Sequence, residues 1–228
     1  MTCHNNLLIG NTGFVGSNLD HKKYDIFINS KNYKDIKYKT FNNVVCAGFS
    51  GTKYLANNNP KEDWEKIKNL LDVLLTIQCN YFRLISTIDI YYDHPYGKHR
   101  AKAEEILLSK FSNIKIFRLP GIYGNNLKKN AIYDLINNNN LNMISLEDEY
   151  QWYCLSDLEN DINKNYIVDT IELFTEPISI DEINDNLFHY EKNVFSQQPS
   201  TKHYNFRPYI YDKSQVLNKL RTFIKDFK

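Results

Sequence analysis

The chain has 228 residues, which is long enough for a domain with a sizeable buried core. Its 28 basic and 27 acidic residues give a formal net charge of +1, so we expect no nucleic-acid partner and no anionic membrane partner. No apolar run is long enough to span a bilayer, and the first six residues do not resemble a secretory signal. The four cysteines lie far apart without a C-x-x-C pair, which indicates neither a metal site nor a disulfide and favours a cytoplasmic setting.

Strand and helix patterns alternate along the chain. Apolar runs predict strands at 7–9, 26–28, 44–48, 82–87 and 114–120. Apolar residues at helical spacing predict helices at 63–77, 96–111, 178–188 and 214–227. The asparagine runs at 57–59 and 137–140 are expected to be loops. The alternation predicts an α/β fold, a Rossmann-like doubly wound parallel sheet with helices on both faces.

The first strand leads into a G-x-x-G-x-x-G turn that we expect to open a helix. Glycines let a backbone approach a pyrophosphate, and a helix N-terminus offers it N–H donors and a positive dipole end. Many strand-to-helix turns use glycine for backbone reasons alone, but the preceding strand and the spacing favour a nucleotide site. The candidate cofactor-binding residues are Gly10, Asn11, Thr12, Gly13, Phe14, Val15 and Gly16.

We expect other predicted strand ends to lie in one crevice with the glycine turn, because ligands of such sheets bind outside the carboxyl ends of the strands. These ends are Cys46, Ala47, Gly48, Ser86, Thr87, Pro120 and Gly121. The second strand is followed by Ser30 and Lys31 rather than by an acid that would bind a ribose 2′-hydroxyl. The sequence therefore favours NADP(H) over NAD(H).

A candidate acid/base lies at the start of the helix predicted at 96–111. Tyr96 and Arg100 are four residues apart and share one helix face. Such a pair alone is more often a surface stacking pair. A nearby cation also favours phenolate, however, so we expect the tyrosine to be a usable acid or base near neutral pH.

The order of these motifs resembles the extended short-chain dehydrogenase/reductases, the NAD-dependent epimerase/dehydratase family that acts on nucleotide sugars. The likeness covers roughly the first 160 residues. It rests on the glycine turn, on Ser86-Thr87, on the Y-G-x-H-R motif of Tyr96 to Arg100, and on Arg118-Leu119-Pro120-Gly121. Within that family, the chain looks like a small, little-characterised branch with arginine where most relatives have lysine.

The resemblance implies a role for each matching residue. Thr87, with Ser86 as second choice, would hydrogen-bond the substrate oxygen, and Tyr96 would exchange a proton with it. Arg100 would bind the nicotinamide ribose and lower the pKa of the tyrosine. Pro120 and Gly121 would lie under the nicotinamide. The residues that would contact the sugar nucleotide are Lys128, Asn130 and Gln151.

The same resemblance predicts one domain over 1–228, with 1–125 mainly dinucleotide-binding and 126–228 mainly a small C-terminal substrate-binding lobe. The expected function is NAD(P)-dependent reduction of a 4-keto-6-deoxyhexose nucleotide. A nucleotide-sugar 4-epimerase is the alternative within the family, and a non-catalytic NADP-binding regulator is the alternative from another class. The sequence does not decide whether two copies of the chain form a homodimer. Cys154 and its aromatic neighbours Trp152 and Tyr153 are expected to pack in the core.

Three features depart from the family pattern, one of which is a C-terminal part that is short for a full substrate domain. Arg100 cannot deprotonate, so it cannot relay a proton as a lysine can. Only nine positions separate Thr87 from Tyr96, which is shorter than usual in the family. The short segment between these two residues must either bring Tyr96 next to Thr87 or leave the substrate pocket open.

Overall fold

The computed structural model describes residues 5–200 and 202–227. They form two compact units. The first takes the described residues up to Leu119 together with Asp157–Glu172, and the second takes Pro120–Ser156 and the described residues from Leu173 onward.

A parallel sheet of six strands forms the centre of the first unit. The strand order is β2-β1-β3-β4-β5-β9, and every pairing is parallel. The strands are β1 (Asn6–Ile9), β2 (Ile26–Ile28), β3 (Thr40–Cys46), β4 (Gln78–Thr87), β5 (Ile114–Leu119) and β9 (Thr170–Glu172). The predicted α/β fold with a parallel sheet is confirmed.

The helices of the first unit are α1 (Lys53–Asn58), α2 (Pro60–Leu74), α3 (Pro95–Lys110) and the short α5 (Leu158–Asp161). The predicted apolar face of α2 is buried against the sheet, with Ile67, Leu71 and Leu74 almost inaccessible to water. Full burial of one such side chain is worth about 1.5–3 kcal/mol. Burial of this apolar face therefore fixes α2 on the sheet.

The helix expected after the glycine turn does not form, so that prediction was wrong. The chain makes only two 3₁₀ turns, Gly16–Asn18 and His21–Lys23, before β2 begins. The Asp20 side chain caps the second turn by accepting the N–H of Lys22. Glu159, next to it in space, accepts hydrogen bonds from the Asp20 N–H and the Tyr24 hydroxyl. The buried carboxylate of Glu159 thus anchors the segment between β1 and β2, which is too short for a helix of several turns.

One asparagine run also differs from its prediction. Residues 57 and 58 lie in α1 rather than in a loop, whereas 137–140 lie outside the α-helices as expected. Asparagine is a weak helix former. The Asn57 side chain, however, accepts the N–H of Tyr96 at 3.0 Å. Asn57 is therefore helical although its propensity favours a loop, and it makes a tertiary hydrogen bond in that conformation.

The second unit contains short elements. Its helices are α4 (Ala131–Ile136), α6 (Ile180–Ile183) and α7 (Lys213–Asp226). Its strands are β6 (Gly121–Tyr123), β7 (Glu149–Tyr150), β8 (Trp152–Cys154) and β10 (Ile178–Ser179), where β6 pairs with β8 and β7 with β10. The helix predicted at 178–188 begins two residues late, because Ile178 and Ser179 form β10; it consists of α6 and a π-helical turn at Asn184–Phe188.

Trp152, Tyr153 and Cys154 on β8 are buried, as expected for core residues. Among the described residues, no helix combines the length and the apolar character needed to cross a bilayer.

Candidate functional site

The carboxyl ends of three neighbouring strands meet at one edge of the first unit. Gly10 follows β1 and donates its N–H to the carbonyl of Ile28 on β2 at 2.6 Å. Ala47 follows β3 and donates to the carbonyl of Ile9 on β1 at 2.9 Å. Thr87 ends β4, which pairs with β3. The first unit thus brings together the glycine turn and two of the other predicted strand ends.

The glycines of the turn are needed for different reasons. Gly10 has φ +86°, and a Cβ there would lie 2.3 Å from the Ala47 carbonyl oxygen. A Cβ at Gly16 would lie 2.2 Å from the Gly10 oxygen. At the exposed Gly13, a Cβ would meet only that same oxygen, at 3.2 Å. The chain's own packing therefore requires glycine at 10 and 16, whereas a Cβ at the exposed Gly13 would be crowded by a single backbone oxygen.

The remaining residues of this edge differ in exposure. Cys46 is fully buried, and burial raises the pKa of its thiol to about 12. Its side chain therefore faces the core, and only its backbone is placed for a ligand. Ser30 and Lys31 are exposed after β2. Thr12 is also exposed, while Asn11, Phe14, Val15 and Ala47 are half-buried and Gly48 is exposed.

The start of α3 places Tyr96 beside Thr87. His94 caps the helix by accepting the Gly97 N–H at 3.0 Å. A Cβ on Gly97 would lie 1.9 Å from the carbonyl oxygen of Asp89, so the first turn of α3 packs directly on the turn that follows β4. The Thr87 hydroxyl lies close enough to the phenol to lower the pKa of Tyr96. The short interval between Thr87 and Tyr96 therefore pulls the tyrosine into place.

Arg100 stacks on the tyrosine but is held by other groups. Its guanidinium carbon lies 3.8 Å from the centre of the Tyr96 ring. The same group donates two hydrogen bonds to Asp63, at 2.5 and 2.9 Å, and one to the Ser50 carbonyl at 2.6 Å. The Arg100 side chain is 3 % exposed, and only its Nε is left without a hydrogen-bond partner. Its charge is therefore neutralised by Asp63 on α2.

Burial determines the acidity of the phenol. Desolvation, only partly offset by Arg100, raises the pKa of Tyr96 to about 12, and the Asp89 and Asp63 carboxylates add to the rise. The direction is opposite to the one expected from Arg100 alone. At neutral pH the phenol is therefore protonated, which suits an acid better than a base.

Ser86 belongs to a different cluster from Thr87. Its buried hydroxyl donates to Glu104 on α3. Glu104 is paired with Arg118 on β5 at 2.7 Å. Neighbouring residues of a strand point to opposite faces, so Thr87 alone of the two contacts the tyrosine.

Two of the residues expected to bind sugar nucleotide hydrogen-bond backbone groups of the second unit. The Gln151 amide donates to the carbonyls of Thr175 and Phe206, at 2.5 and 2.9 Å, and accepts the Phe206 N–H at 3.1 Å. Asn130 caps α4 by accepting from the N–H of Tyr133 and donates to the Ile122 carbonyl.

The other three predicted residues of the second unit are differently placed. Lys128 is exposed. Pro120 and Gly121 begin the second unit, where a Cβ on Gly121 would lie 2.9 Å from the Gln151 carbonyl oxygen. Glycine at 121 is therefore explained by packing within this unit.

Sequence reasoning missed three residues near the tyrosine. The sequence places Asp63 only at the start of a predicted helix and Asn57 in a predicted loop, and it gives no role to Lys53. Lys53 pairs with Asp89 at 2.5 Å. Their positions follow from tertiary contacts that no local pattern signals. Among the described residues, no three His, Cys, Asp or Glu side chains are grouped as a metal site requires.

Comparison with known proteins gives a fold but no sequence family. No family model matches the chain, and no curated protein matches it in sequence. Similar solved structures include a UDP-N-acetylglucosamine 4-epimerase from Methanobrevibacter ruminantium M1 in complex with UDP-N-acetylmuramic acid. That match has a TM-score of 0.72 and 13 % identity and covers 100 % of this chain and 99 % of the epimerase.

Two further solved structures are similar to this chain over nearly its full length. UDP-glucose 4-epimerase from Thermotoga maritima, with UDP-glucose, has a TM-score of 0.70 and 12 % identity, and the match covers 98 % of each chain. dTDP-4-dehydrorhamnose reductase from Bacillus anthracis str. Ames, in complex with NADP, has a TM-score of 0.68 and 16 % identity, and the match covers 99 % of this chain and 100 % of the reductase. The chain therefore shares its Rossmann-like fold with the NAD-dependent epimerase/dehydratase enzymes that its motifs resemble.

Proposed function

We propose that the protein is an NAD(P)H-dependent oxidoreductase that reduces a 4-keto sugar linked to a nucleotide. The observation that carries the proposal is the position of Tyr96, buried beside Thr87 at the carboxyl end of β4 in the same unit as the glycine turn. A protonated phenol beside a hydroxyl is the arrangement needed to protonate a ketone oxygen as a hydride reaches the carbon.

The glycine turn fits a dinucleotide. Gly13 is exposed and has no side chain to keep a ligand away, although its own N–H is donated to the Gly10 carbonyl at 2.9 Å. The Asn11 Oδ1 is buried without a hydrogen-bond partner, so it is an acceptor that a ligand donor would satisfy. When bound, the cofactor would supply the hydride. Because no helix longer than one turn follows Gly16, the turn's backbone rather than a helix dipole would bind the pyrophosphate.

We assign the preference for NADP(H) to the residues after β2. Ser30 and Lys31 are exposed, and no acid lies between Ile28 and Lys34 to bind a ribose 2′-hydroxyl. An ammonium and a hydroxyl suit a 2′-phosphate, which a carboxylate would repel.

Tyr96 is the proposed proton donor. Its phenol is neutral at working pH and would pass its proton to the ketone oxygen, which Thr87 orients. General acid–base catalysis of this kind is worth about 10²–10⁴-fold in rate. Arg100 acts as a positioning residue in this account, because Asp63 and the Ser50 carbonyl hold its guanidinium against the ring.

Lys128 is the substrate-binding candidate that we retain in the second unit. It is exposed, and an ammonium is suited to a nucleotide diphosphate. Asn130 and Gln151 contribute indirectly, since their amides hold loops of that unit.

One observation favours the non-catalytic alternative. Arg100 is bound by Asp63 and almost fully buried, so it would not reach a nicotinamide ribose as the family lysine does. A protein that binds NADP(H) without turnover would have this feature. The 4-epimerase alternative requires Tyr96 to work as a base as well as an acid, which the raised pKa disfavours.

The test is a turnover panel. UDP- and dTDP-linked 4-keto and 4-hydroxy sugars are offered to the wild-type protein with NADPH or NADH, and both cofactor oxidation and sugar products are followed. A reductase consumes one reduced cofactor per 4-keto sugar. Interconversion of 4-hydroxy sugars without net cofactor consumption would instead identify the epimerase, and cofactor binding without any turnover would identify the regulator.

A further inference from the structure

A buried ion pair lies against the ring of Tyr96. The Arg100 guanidinium carbon is 3.8 Å from the ring centre, and the same group donates to both oxygens of Asp63, at 2.5 and 2.9 Å. The side chains of Arg100 and Asp63 are 3 % and 7 % exposed, so little water screens either charge. The phenol is therefore in contact with a cation whose charge is compensated by a carboxylate from a different helix.

The two charges of the pair act on the phenol in opposite directions. A cation close to a phenol stabilises the phenolate, whereas a nearby anion stabilises the neutral form. Burial is the main reason that the pKa of Tyr96 is raised, while Arg100 lowers this pKa and Asp63 is one of the carboxylates that raise it. Burial acts on every buried tyrosine. The feature particular to this site is a guanidinium on the ring whose effect Asp63 opposes.

The carboxylate of Asp63 is held in place by two donors from α3. Besides the Arg100 guanidinium, His99 Nδ1 lies 2.7 Å from its Oδ2, and the His99 ring packs on Trp64. Burial alone would raise the pKa of Asp63, but the hydrogen bonds from Arg100 and His99 outweigh burial and lower it. Asp63 is therefore ionised at neutral pH, and the compensation of Arg100 is permanent there.

The other charged groups around the phenol bond one another rather than the guanidinium. Lys53 on α1 donates to Asp89 at 2.5 Å, and His94 Nε2 lies 3.3 Å from the same oxygen of that carboxylate. The guanidinium also donates to two backbone carbonyls. Asp63 is therefore the carboxylate that compensates Arg100. The charged and titratable groups that face the phenol are Arg100 from its own helix, Asp63 from α2, and Asp89 and His94 from the turn between β4 and α3.

We propose that Asp63 is the positioning residue that keeps Tyr96 an acid, because it holds the Arg100 guanidinium against the ring and cancels its charge. The proposal rests on the proposed reductase function, in which the phenol must carry a proton when the ketone arrives. Without Asp63, the same guanidinium would stabilise the phenolate, which suits the removal of a proton from a hydroxyl group. Asp63 thereby favours reduction of a ketone over oxidation of an alcohol.

The ion pair also has a purely structural explanation, and the titration of Tyr96 separates the two. Asp63→Asn leaves the guanidinium without its counter-charge. Asp63→Ser does the same with room for water, and it replaces the amide variant if that variant does not fold. The double variant Asp63→Asn/Arg100→Gln removes both charges together, which closes the mutant cycle. Glu62→Gln is the matched control, because this neighbour on α2 is exposed and pairs with Lys66.

The test follows the ionisation of Tyr96 in the resting protein by NMR. Tyrosine labelled with carbon-13 at the ring carbon that bears the hydroxyl reports ionisation, Tyr96→Phe identifies the signal, and circular dichroism checks folding at each pH. From about 12 in the wild type, the pKa of Tyr96 should fall by about 1–3 pH units in Asp63→Asn and Asp63→Ser, the effect of one nearby uncompensated charge. The double variant should recover most of this loss, and Glu62→Gln should titrate like the wild type.

Two results would overturn the proposal. An unchanged pKa of Tyr96 in folded Asp63→Asn or Asp63→Ser would show that the ion pair is structural only. An equal fall in the single and the double variant would show that the effect does not come from the charge of Arg100.

Kinetics distinguish the role of Asp63 from the function on which it rests. With a 4-keto nucleotide sugar and NADPH, kcat falls as the pH rises through the pKa of the acid, so this limb should move to lower pH in Asp63→Asn. Asp63→Glu, which keeps the charge, should restore most of the wild-type profile. If the titration of Tyr96 shifts but the wild type reduces no nucleotide sugar, the reductase proposal fails while the role of Asp63 stands. Reduction by the wild type with no shift in Asp63→Asn would overturn the role of Asp63 alone.

Discussion

In the first unit, the hydroxyl of Thr87 meets a tyrosine at the end of β4, whereas in the second unit the amide of Gln151 meets only backbone. Both positions were predicted to contact substrate, and both lie near a strand end. They differ in what the local chain needs. The Thr87 hydroxyl also serves its local turn, since it accepts the Asp89 N–H at 3.2 Å, but Thr87 stays half-buried. The segment around Phe206 has no regular partner strand and uses the glutamine to anchor itself.

The comparison teaches that burial together with complete hydrogen bonding to the backbone separates a structural polar side chain from a functional candidate. Gln151 is 1 % exposed, and both of its amide hydrogens are donated to carbonyls. Burial with complete satisfaction indicates a structural role. Thr87 is only half-buried, and its hydroxyl bonds one backbone N–H and one side chain, both of Asp89.

The largest expected effect concerns Gly13, the exposed glycine of the turn, where a Cβ would meet only one backbone oxygen. Gly13→Val should abolish NADP(H) binding in a folded protein, because the branched side chain would occupy the surface that a pyrophosphate approaches. Isothermal titration measures the affinity. Gly51→Val is the control, since a Cβ at that exposed position meets nothing within 4 Å. Undiminished affinity of Gly13→Val would remove the cofactor site from the glycine turn.

The second prediction concerns the pair that fixes Arg100. Asp63→Asn leaves a buried guanidinium without its counter-charge, which typically costs about 3–5 kcal/mol in the free energy of unfolding. Denaturant unfolding measures it. Asp93→Asn, which removes an exposed partner of Lys98, should cost little. A small loss in Asp63→Asn would mean that this carboxylate does not position Arg100.

The same carboxylate predicts a pH dependence. Burial disfavours its charged form, but hydrogen bonds from Arg100 and His99 outweigh burial and hold the pKa of Asp63 below its usual value. Its contribution to stability is therefore complete above the unfolded-state pKa of about 3.9 and is lost as the pH falls through the lower folded-state pKa. Below about pH 4, the unfolding free energy of the wild type should fall more steeply than that of Asp63→Asn. Parallel curves would contradict the assignment.

The third prediction tests the second unit. Gln151→Leu leaves two carbonyls and one N–H without partners, and each unsatisfied buried group costs about 1–3 kcal/mol unless water reaches it. The unfolding free energy should fall by at least one such increment. Lys128→Gln should instead raise KM for the nucleotide sugar without changing stability. The reverse pattern, a stable Gln151→Leu with a raised KM, would restore the glutamine to the substrate site.

The fourth and smallest effect concerns cofactor choice. If Lys31 contacts a 2′-phosphate, Lys31→Glu should weaken NADPH binding by about 1–3 kcal/mol, the scale of a charge-assisted hydrogen bond, and affect NADH little. Lys34→Glu, three residues further along, is the matched control. Equal losses for both cofactors would show that Lys31 is an ordinary surface residue.

The sequence predicted most of the first unit because its signals are local. The periodicity of α2, the apolar strands and the motif order were sufficient for a parallel α/β sheet. The missing helix after Gly16 was not predictable, because the glycine turn itself matches the pattern. What ends the turn is Asp20 together with a glutamate that lies 139 positions away in the chain.

The candidate site was predictable only in part, for the same reason. Tyr96 and Thr87 are named by motif, and helical spacing places Arg100 on the ring. The raised pKa of Tyr96 follows from burial, which spacing does not report. Asp63 and Lys53 enter through contacts with Arg100 and Asp89 that span 37 and 36 positions. Residues that contact a site from a different helix or strand cannot be identified from the sequence pattern around them.

The most direct test of the account is the rate of NADPH oxidation by Tyr96→Phe with a 4-keto nucleotide sugar. The substitution removes the phenol proton and keeps the ring on which Arg100 stacks. The account predicts a rate about 10²–10⁴-fold below wild type, with NADPH affinity unchanged and with Tyr81→Phe, an exposed tyrosine on β4, at the wild-type rate. Wild-type turnover by Tyr96→Phe would contradict the account, because another group would then be the acid.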